Sequence, residues 1–178
     1  MRILFLDIDG VICTQEEIFH DPAKKKSGEI RVEDYMRKVD GKWLHVFSPV
    51  AVAALNHITD TTGAKLVISS VWKNNGMERL VEHFKEQGVK GEIIGLTPYV
   101  YNEEYKCRMR GGEIQAWLDA NPKPESFVIL DDESDMLHLL PRLVQTMWDD
   151  FEVTGEPEGL VMKHAERAIA MLGEPNVY

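Results

Sequence analysis

Three short runs of consecutive apolar residues, each ending on polar side chains, constrain this chain more than any other feature. Ile3-Leu4-Phe5-Leu6 stops at Asp7, Leu66-Val67-Ile68 stops at Ser69-Ser70, and Phe127-Val128-Ile129-Leu130 stops at Asp131-Asp132. A run without polar alternation has no solvated face, which is the pattern of a strand covered on both sides in a parallel sheet. Glu92-Ile93-Ile94, leading to Gly95 and Thr97, reads as a fourth strand, and Leu143 to Met147 as a weaker fifth. Between them lie apolar stripes at helical spacing. Ala51, Ala54, Leu55 and Ile58 form one, with Ser48 as N-cap and Pro49 at the first helical position. Met77, Leu80, Val81 and Phe84 form another, closed by Gly88; Ile114, Trp117 and Leu118 a third, stopped by Pro122; and Ala165, Ala168, Ile169 and Leu172 the last, closed by Gly173.

Strands alternating with helices imply right-handed crossovers and a doubly wound α/β domain with a mostly parallel sheet. The length of 178 residues suits a single domain, 1–178. One stretch breaks the rhythm. Residues 14–47 are charged and loop-like, with Pro22, Lys24 to Lys26, Gly28 and Gly41, and read as an insertion or flap after the first strand or as a solvated surface loop. Ligands of such sheets bind at the carboxyl ends of the strands. The first residues to examine are therefore Asp7 with Asp9, Ser69 with Ser70, and Asp131 with Asp132.

Carboxylates brought together there repel one another unless a cation joins them, and a hard, oxygen-seeking ion such as Mg²⁺ suits the donors. Asp7 and Asp9, two apart in an extended stretch, point the same way, so one can attack phosphorus while the other protonates the leaving oxygen. Gly10 lets the backbone turn and is expected to leave its amide near the phosphoryl group. A calcium loop is disfavoured, because Gln15 to Glu17 do not supply the twelfth-position ligand and an apolar strand precedes the motif.

Other chemistries lack their signatures. A P-loop and a G-x-S-x-G elbow are absent, and His20, His45, His57, His83, His138 and His164 show no zinc-protease spacing. Cys13 and Cys107 form no C-x-x-C pair, and no disulfide partner is expected. A net charge of −10 argues against a protein that coats duplexes, though not against a locally basic site. No run is long enough to span a membrane, no signal peptide is evident, and a cytoplasmic protein is expected.

Phe5-Leu6-Asp7-Ile8-Asp9-Gly10-Val11-Ile12 resembles the first signature motif of the haloacid dehalogenase (HAD) superfamily. Leu66-Val67-Ile68-Ser69 resembles the second, and Val128-Ile129-Leu130-Asp131-Asp132-Glu133-Ser134-Asp135 the fourth. A closer resemblance is to the small HAD-like domains of Swiss Army Knife RNA repair proteins. It is carried by Ile68-Ser69-Ser70-Val71-Trp72-Lys73, by Arg110-Gly111-Gly112-Glu113-Ile114-Gln115-Ala116-Trp117-Leu118, and by Val128 to Asp132. The resemblance implies a HAD-like Rossmannoid fold, and the interval between Gly10 and the Ser48 helix is too short for a large cap domain.

The same resemblance implies that Asp7 is the nucleophile of an aspartyl-phosphate and a metal ligand. Asp9 would be the general acid/base, adding its backbone carbonyl to the metal. Asp131 would bind Mg²⁺ directly, with Asp132 and Asp135 acting directly or through water. Ser69 and a basic residue would stabilise the phosphoryl charge; Arg110 is the assignment for the latter, with Lys106 and Arg108 as competitors. Trp72 could stack a base and Lys73 meet a phosphate, with Gly10 and Ser70 also on the substrate, whereas Trp117 belongs to the core. Polynucleotide 3′-phosphatases of the superfamily often carry an Arg shortly after the second-motif Ser, and here Ser70-Val71-Trp72-Lys73 departs from that.

Asp9 favours phosphatase or phosphomutase chemistry, because dehalogenases of the superfamily lack the second acid. The expectation is a Mg²⁺-dependent phosphomonoester hydrolase acting on a phosphorylated substrate, with a nucleotide or nucleic-acid end as the first choice. A phosphotransferase, a small-metabolite phosphatase and a non-catalytic phosphate-binding module are the competing readings. The sequence does not fix the oligomeric state.

Overall fold

The structure, a computed structural model, describes residues 1–14, 36–39, 41–147 and 159–174. Much of the 14–47 insertion, Lys24 to Lys26 included, therefore lies outside the described residues. Its final part is a hairpin of β2 (Met36–Val39) and β3 (Lys42–His45), turned at Gly41 with φ +82°.

The main sheet has five strands: β1 (Arg2–Leu6), β4 (Lys65–Ile68), β5 (Ile93–Leu96), β8 (Ser126–Asp131) and β9 (Leu143–Gln145). Their order is β5-β4-β1-β8-β9, and every pairing is parallel. The first strand in the chain is thus the central one, flanked by β4, which Ser69 follows, and by β8, which ends in Asp131. The chain is a doubly wound α/β fold of the HAD-like Rossmannoid kind, with no large cap among the described residues. The weak fifth strand is present at the edge, shorter than expected.

Successive side chains of a strand face opposite ways, so each apolar run feeds two cores. Leu4, Leu6, Leu66, Ile68, Val128 and Leu130 face α1 (Pro49–Thr62), α2 (Met77–Glu86) and α4 (Met162–Gly173). Ile3, Phe5, Val67, Phe127 and Ile129 face α3 (Arg110–Ala120). Full burial of each such side chain contributes about 1.5–3 kcal/mol, which is why the strands need no alternation. Trp117 packs in the second core with its ring edge-on to Phe5 at 5.4 Å, as expected.

The start signal of α1 acts as read, whereas α4 runs through Gly173 and is capped at Glu174. Ser48 Oγ accepts from the Ala51 amide at 3.5 Å, and Gly63 ends α1 at φ +67°. One position differs: Val81 is 42% exposed, and His83 takes the inward place, edge-on to Phe47 at 5.0 Å. A 3₁₀ turn at Val71–Asn75 and a second hairpin, β6 (Tyr101–Asn102) with β7 (Cys107–Arg108), complete the sheet's carboxyl end.

Helix α3 begins against the loop that follows β8. A Cβ on Gly111 would lie 2.2 Å from the Met136 carbonyl oxygen, whereas one on Gly112 would meet nothing within 4 Å. Gly111→Ala should therefore lower stability by about 1–3 kcal/mol. Gly112→Ala should be neutral or gain up to about 1 kcal/mol. Thermal denaturation of the pair checks this, and equal tolerance of both would contradict the close approach.

Candidate active site

The site is built from what each strand does after its apolar run ends. The Asp7 amide donates to the Leu130 carbonyl at 2.9 Å, carrying the β1–β8 ladder one residue further. The chain then closes a tight loop in which the Ile8 carbonyl accepts from the amides of Val11, Ile12 and Cys13. Gly10 makes this loop possible, with φ +72°. Its amide, however, donates to the Cys13 carbonyl at 2.9 Å, so the expectation that this amide faces a phosphoryl group is corrected. What Gly10 supplies is space: a Cβ there would lie 2.6 Å from the Asp132 carboxyl carbon. Thr146 Oγ1 ties the loop to the end of β9 by donating to the Gly10 carbonyl at 2.7 Å.

Carboxylate oxygens of Asp7, Asp131 and Asp132 all lie within 4.8 Å of one another. Asp7 and Asp131 are buried. Arg110 joins two of the three, with Nη2 3.3 Å from Asp7 Oδ2 and Nε 3.1 Å from Asp131 Oδ2. The Asp131 Oδ2 contact is a charge contact without hydrogen-bond alignment, so that oxygen keeps a lone pair unspent. Its Oδ1 accepts from the Glu133 amide at 3.0 Å.

The cluster is short of positive charge, and the acids show it. Burial, then the field of Asp7, pushes Asp131 well above the usual carboxylate range. The same two causes push Asp132 up to about 6. Burial opposes the charge on Arg110, but Asp7, Asp131, Asp135 and Glu113 together raise its pKa above the ordinary value. Hard oxygen donors packed this closely, with one lone pair orphaned, fit a divalent cation.

Asp9 stands apart from that group. Its Oδ2 accepts from the Trp72 indole Nε1 at 2.9 Å. Burial raises its pKa, the Trp72 hydrogen bond opposes this, and Asp7 adds to it. Trp72 is itself buried, 8% exposed, beside Phe47 at 5.9 Å and His83 at 5.9 Å. A ring so enclosed holds Asp9 in place and offers little face for a nucleobase, against the stacking role expected from its position.

The second strand end separates its two serines. Both are buried. Among the described residues Ser69 Oγ has no hydrogen-bond partner, while Ser70 Oγ caps the 3₁₀ turn by accepting from the Trp72 amide at 3.4 Å. Lys73 is also committed. Its Nζ lies 2.5 Å from Glu113 Oε2, 3.1 Å from Thr97 Oγ1 and 3.4 Å from the Pro98 carbonyl. Burial lowers its pKa against the pull of Glu113. A phosphate would have to displace Glu113 to reach it.

Among the three basic residues weighed for the phosphoryl group, Arg110 is the one at the carboxylates. Arg108 lies on the Tyr99 ring instead, and Lys106 sits at a positive φ of 52° in the β6–β7 hairpin. Asp135 is not a member of the acidic group: its Oδ2 accepts from the Arg110 amide at 2.8 Å and caps α3. Sequence reasoning missed Thr146, Thr97 and Glu113. The two threonines follow the same rule as Asp7 and Ser69, since each stands just past a parallel strand.

No helix among the described residues is long and apolar enough to cross a membrane. No curated protein matches the chain. The family model described as HAD domain in Swiss Army Knife RNA repair proteins matches residues 3–150.

A pH dependence follows from the acids. Asp131 and Asp132 have folded-state pKa values above those of the unfolded chain, so their contribution to stability is full below about pH 4. It is lost as pH rises through about 6 for Asp132, and further up for Asp131. A divalent cation holds the carboxylates ionised and reverses the loss. Added Mg²⁺ should therefore raise the Tm more at alkaline than at acidic pH, and Asp132→Asn should reduce that difference. Equal shifts at both pH values would contradict the cation site.

Proposed function

Since the chain belongs to the family of HAD domains found in Swiss Army Knife RNA repair proteins, we propose that it is a Mg²⁺-dependent phosphomonoester hydrolase working through an aspartyl-phosphate. The observation that carries this reading is the buried Asp7 carboxylate, held by Arg110 beside Asp131 and Asp132 at the end of the central strand. A binding module would need no such concentration of like charge, which is costly to bury.

Asp7 Oδ attacks phosphorus as the bond to the leaving oxygen breaks. Asp9 gives that oxygen its proton; burial keeps the Asp9 carboxyl protonated to higher pH than an exposed aspartate, and Trp72 fixes its direction. In the second half, the Asp9 carboxylate takes a proton from water, the water oxygen attacks the aspartyl-phosphate, and inorganic phosphate leaves with Asp7 restored. Ser69 Oγ donates to a phosphoryl oxygen, which accounts for a buried hydroxyl without a protein partner. Arg110 shares its charge between Asp7 and the transferring group. Asp7, Asp131, Asp132 and the Asp9 backbone carbonyl would hold Mg²⁺, which supplies charge neutralisation for the phosphoryl oxygens.

The substrate class that suits a sheet end with no large cap among the described residues is a nucleotide or nucleic-acid end, in keeping with the RNA repair context of the family. Residues 1–178 act in this reading as one phosphatase unit in the cytoplasm.

Phosphate release from p-nitrophenyl phosphate, mononucleotides and 5′- or 3′-phosphorylated oligonucleotides tests the reading. Turnover should need Mg²⁺ and vanish with EDTA. Asp7→Asn should fall below detection with the fold intact by circular dichroism. Asp9→Asn should lose about 10²- to 10⁴-fold in kcat. Wild-type turnover by Asp7→Asn at matched purity would remove the nucleophile from the scheme.

A further inference from the structure

A cleft of about 340 Å³ opens beside the carboxylates, lined by Val71, Lys73, Tyr99, Arg108, Arg110 and Glu113, with Asp135. Three cations line it, and two are spoken for. Lys73 is paired with Glu113, and Arg110 with Asp7 and Asp131. Arg108 is exposed, and no carboxylate pairs with it among the described residues. Its guanidinium lies over Tyr99, with Cζ 4.4 Å from the ring centroid. Tyr99 is anchored in turn, because its hydroxyl donates to Asn74 Oδ1 at 2.9 Å and Lys73 Nζ lies 3.9 Å from its centroid. Stacking on a fixed ring pre-orients a guanidinium and leaves its N–H edge for an acceptor.

Resting on the phosphoryl site described above, we propose that Arg108 binds a second phosphate group of the substrate, separate from the one transferred at Asp7. The substrate is then polyanionic, bearing a phosphodiester or a second phosphomonoester near the reacting phosphate. Geometry supports a selective contact over diffuse attraction. Arg108 shares one cleft with Arg110, and the chain's charge of −10 provides no general pull on an anion. Arg forks bind phosphate through paired N–H donors, which makes this position sensitive to the loss of one phosphate. Tyr101 pairs with Arg108 across the hairpin and is 55% exposed, so an aromatic surface stands on the same face for a nucleoside carrying both groups.

The probes are a nucleoside 5′-monophosphate, a nucleoside 3′,5′-bisphosphate and a 5′-phosphorylated dinucleotide, each with Mg²⁺. For wild type, kcat/KM should favour the two-anion probes. In Arg108→Ala the ratio of two-anion to one-anion kcat/KM should fall by about tenfold or more, and Arg108→Lys should restore part of it. Preference for the dinucleotide identifies a nucleic-acid end; preference for the bisphosphate identifies a small nucleotide. A ratio that Arg108→Ala leaves unmoved, with both activities lowered alike or neither changed, overturns the proposal. If wild type turns over none of the probes, the phosphatase reading fails separately. Calorimetric titration of the same three compounds then decides: tighter binding of the two-anion probes that Arg108→Ala removes supports the subsite, and equal binding overturns it.

Discussion

One arginine between two buried aspartates is the contact on which this architecture depends. Arg110 reaches both Asp7 and Asp131, which come from the ends of adjacent parallel strands far apart in the sequence. Removing Arg110 would leave these buried carboxylates without their cation, at a cost of about 3–5 kcal/mol. The fold therefore has to deliver the guanidinium accurately. It does so by seating the start of α3 on the loop after β8, where Asp135 caps the Arg110 amide and Gly111 permits backbone contact with Met136. Gly10 performs the matching task on the other side, admitting the Asp132 carboxylate to the first loop.

Beyond that contact, the polar groups at the sheet's carboxyl end divide into two kinds. Some are fully committed to one another: Lys73 with Glu113, Thr97 and Pro98, and Thr146 with Gly10. These brace the ends of strands that would otherwise present isolated buried polar groups. Others hold unspent capacity, namely Ser69 Oγ and one oxygen of Asp131. Native proteins rarely leave buried hydroxyls and carboxylates unpaired, and a phosphoryl group with its cation would satisfy both. Asp9 belongs to a third arrangement, steered by Trp72 from an aromatic cluster that includes Phe47 and His83.

The sheet was legible in the sequence because strands buried on both faces leave uninterrupted apolar runs, and the acids were legible because parallel strands put their polar followers at one end. Arg110 was less so. Nothing local marks the start of α3, since Met109 provides no side-chain cap; the cap comes from Asp135, 25 residues on. Lys106, Arg108 and Arg110 thus looked alike until tertiary contacts sent one to the carboxylates and another to Tyr99. Trp72 and Lys73 invited a reading as substrate contacts because polar and aromatic residues after a strand usually face solvent. The 3₁₀ turn instead folds both inward, onto Asp9 and Glu113. The Gly10 amide follows the same logic, since its bond to the Cys13 carbonyl arises from the closure of the loop and leaves no mark in the sequence.

The central claim is that Asp7 carries the phosphoryl group covalently between two half-reactions. The most direct measurement is acid quenching of the protein during turnover of a phosphorylated substrate, followed by peptide mass mapping of the trapped protein. The account requires a phosphoryl group on the peptide containing Asp7, formed only with a divalent cation; with p-nitrophenyl phosphate, whose leaving group needs no proton from Asp9, it accumulates when Asp9 is replaced by Asn. Continued turnover with no phosphorylated peptide, or a phosphoryl group mapped to a different residue, would contradict it.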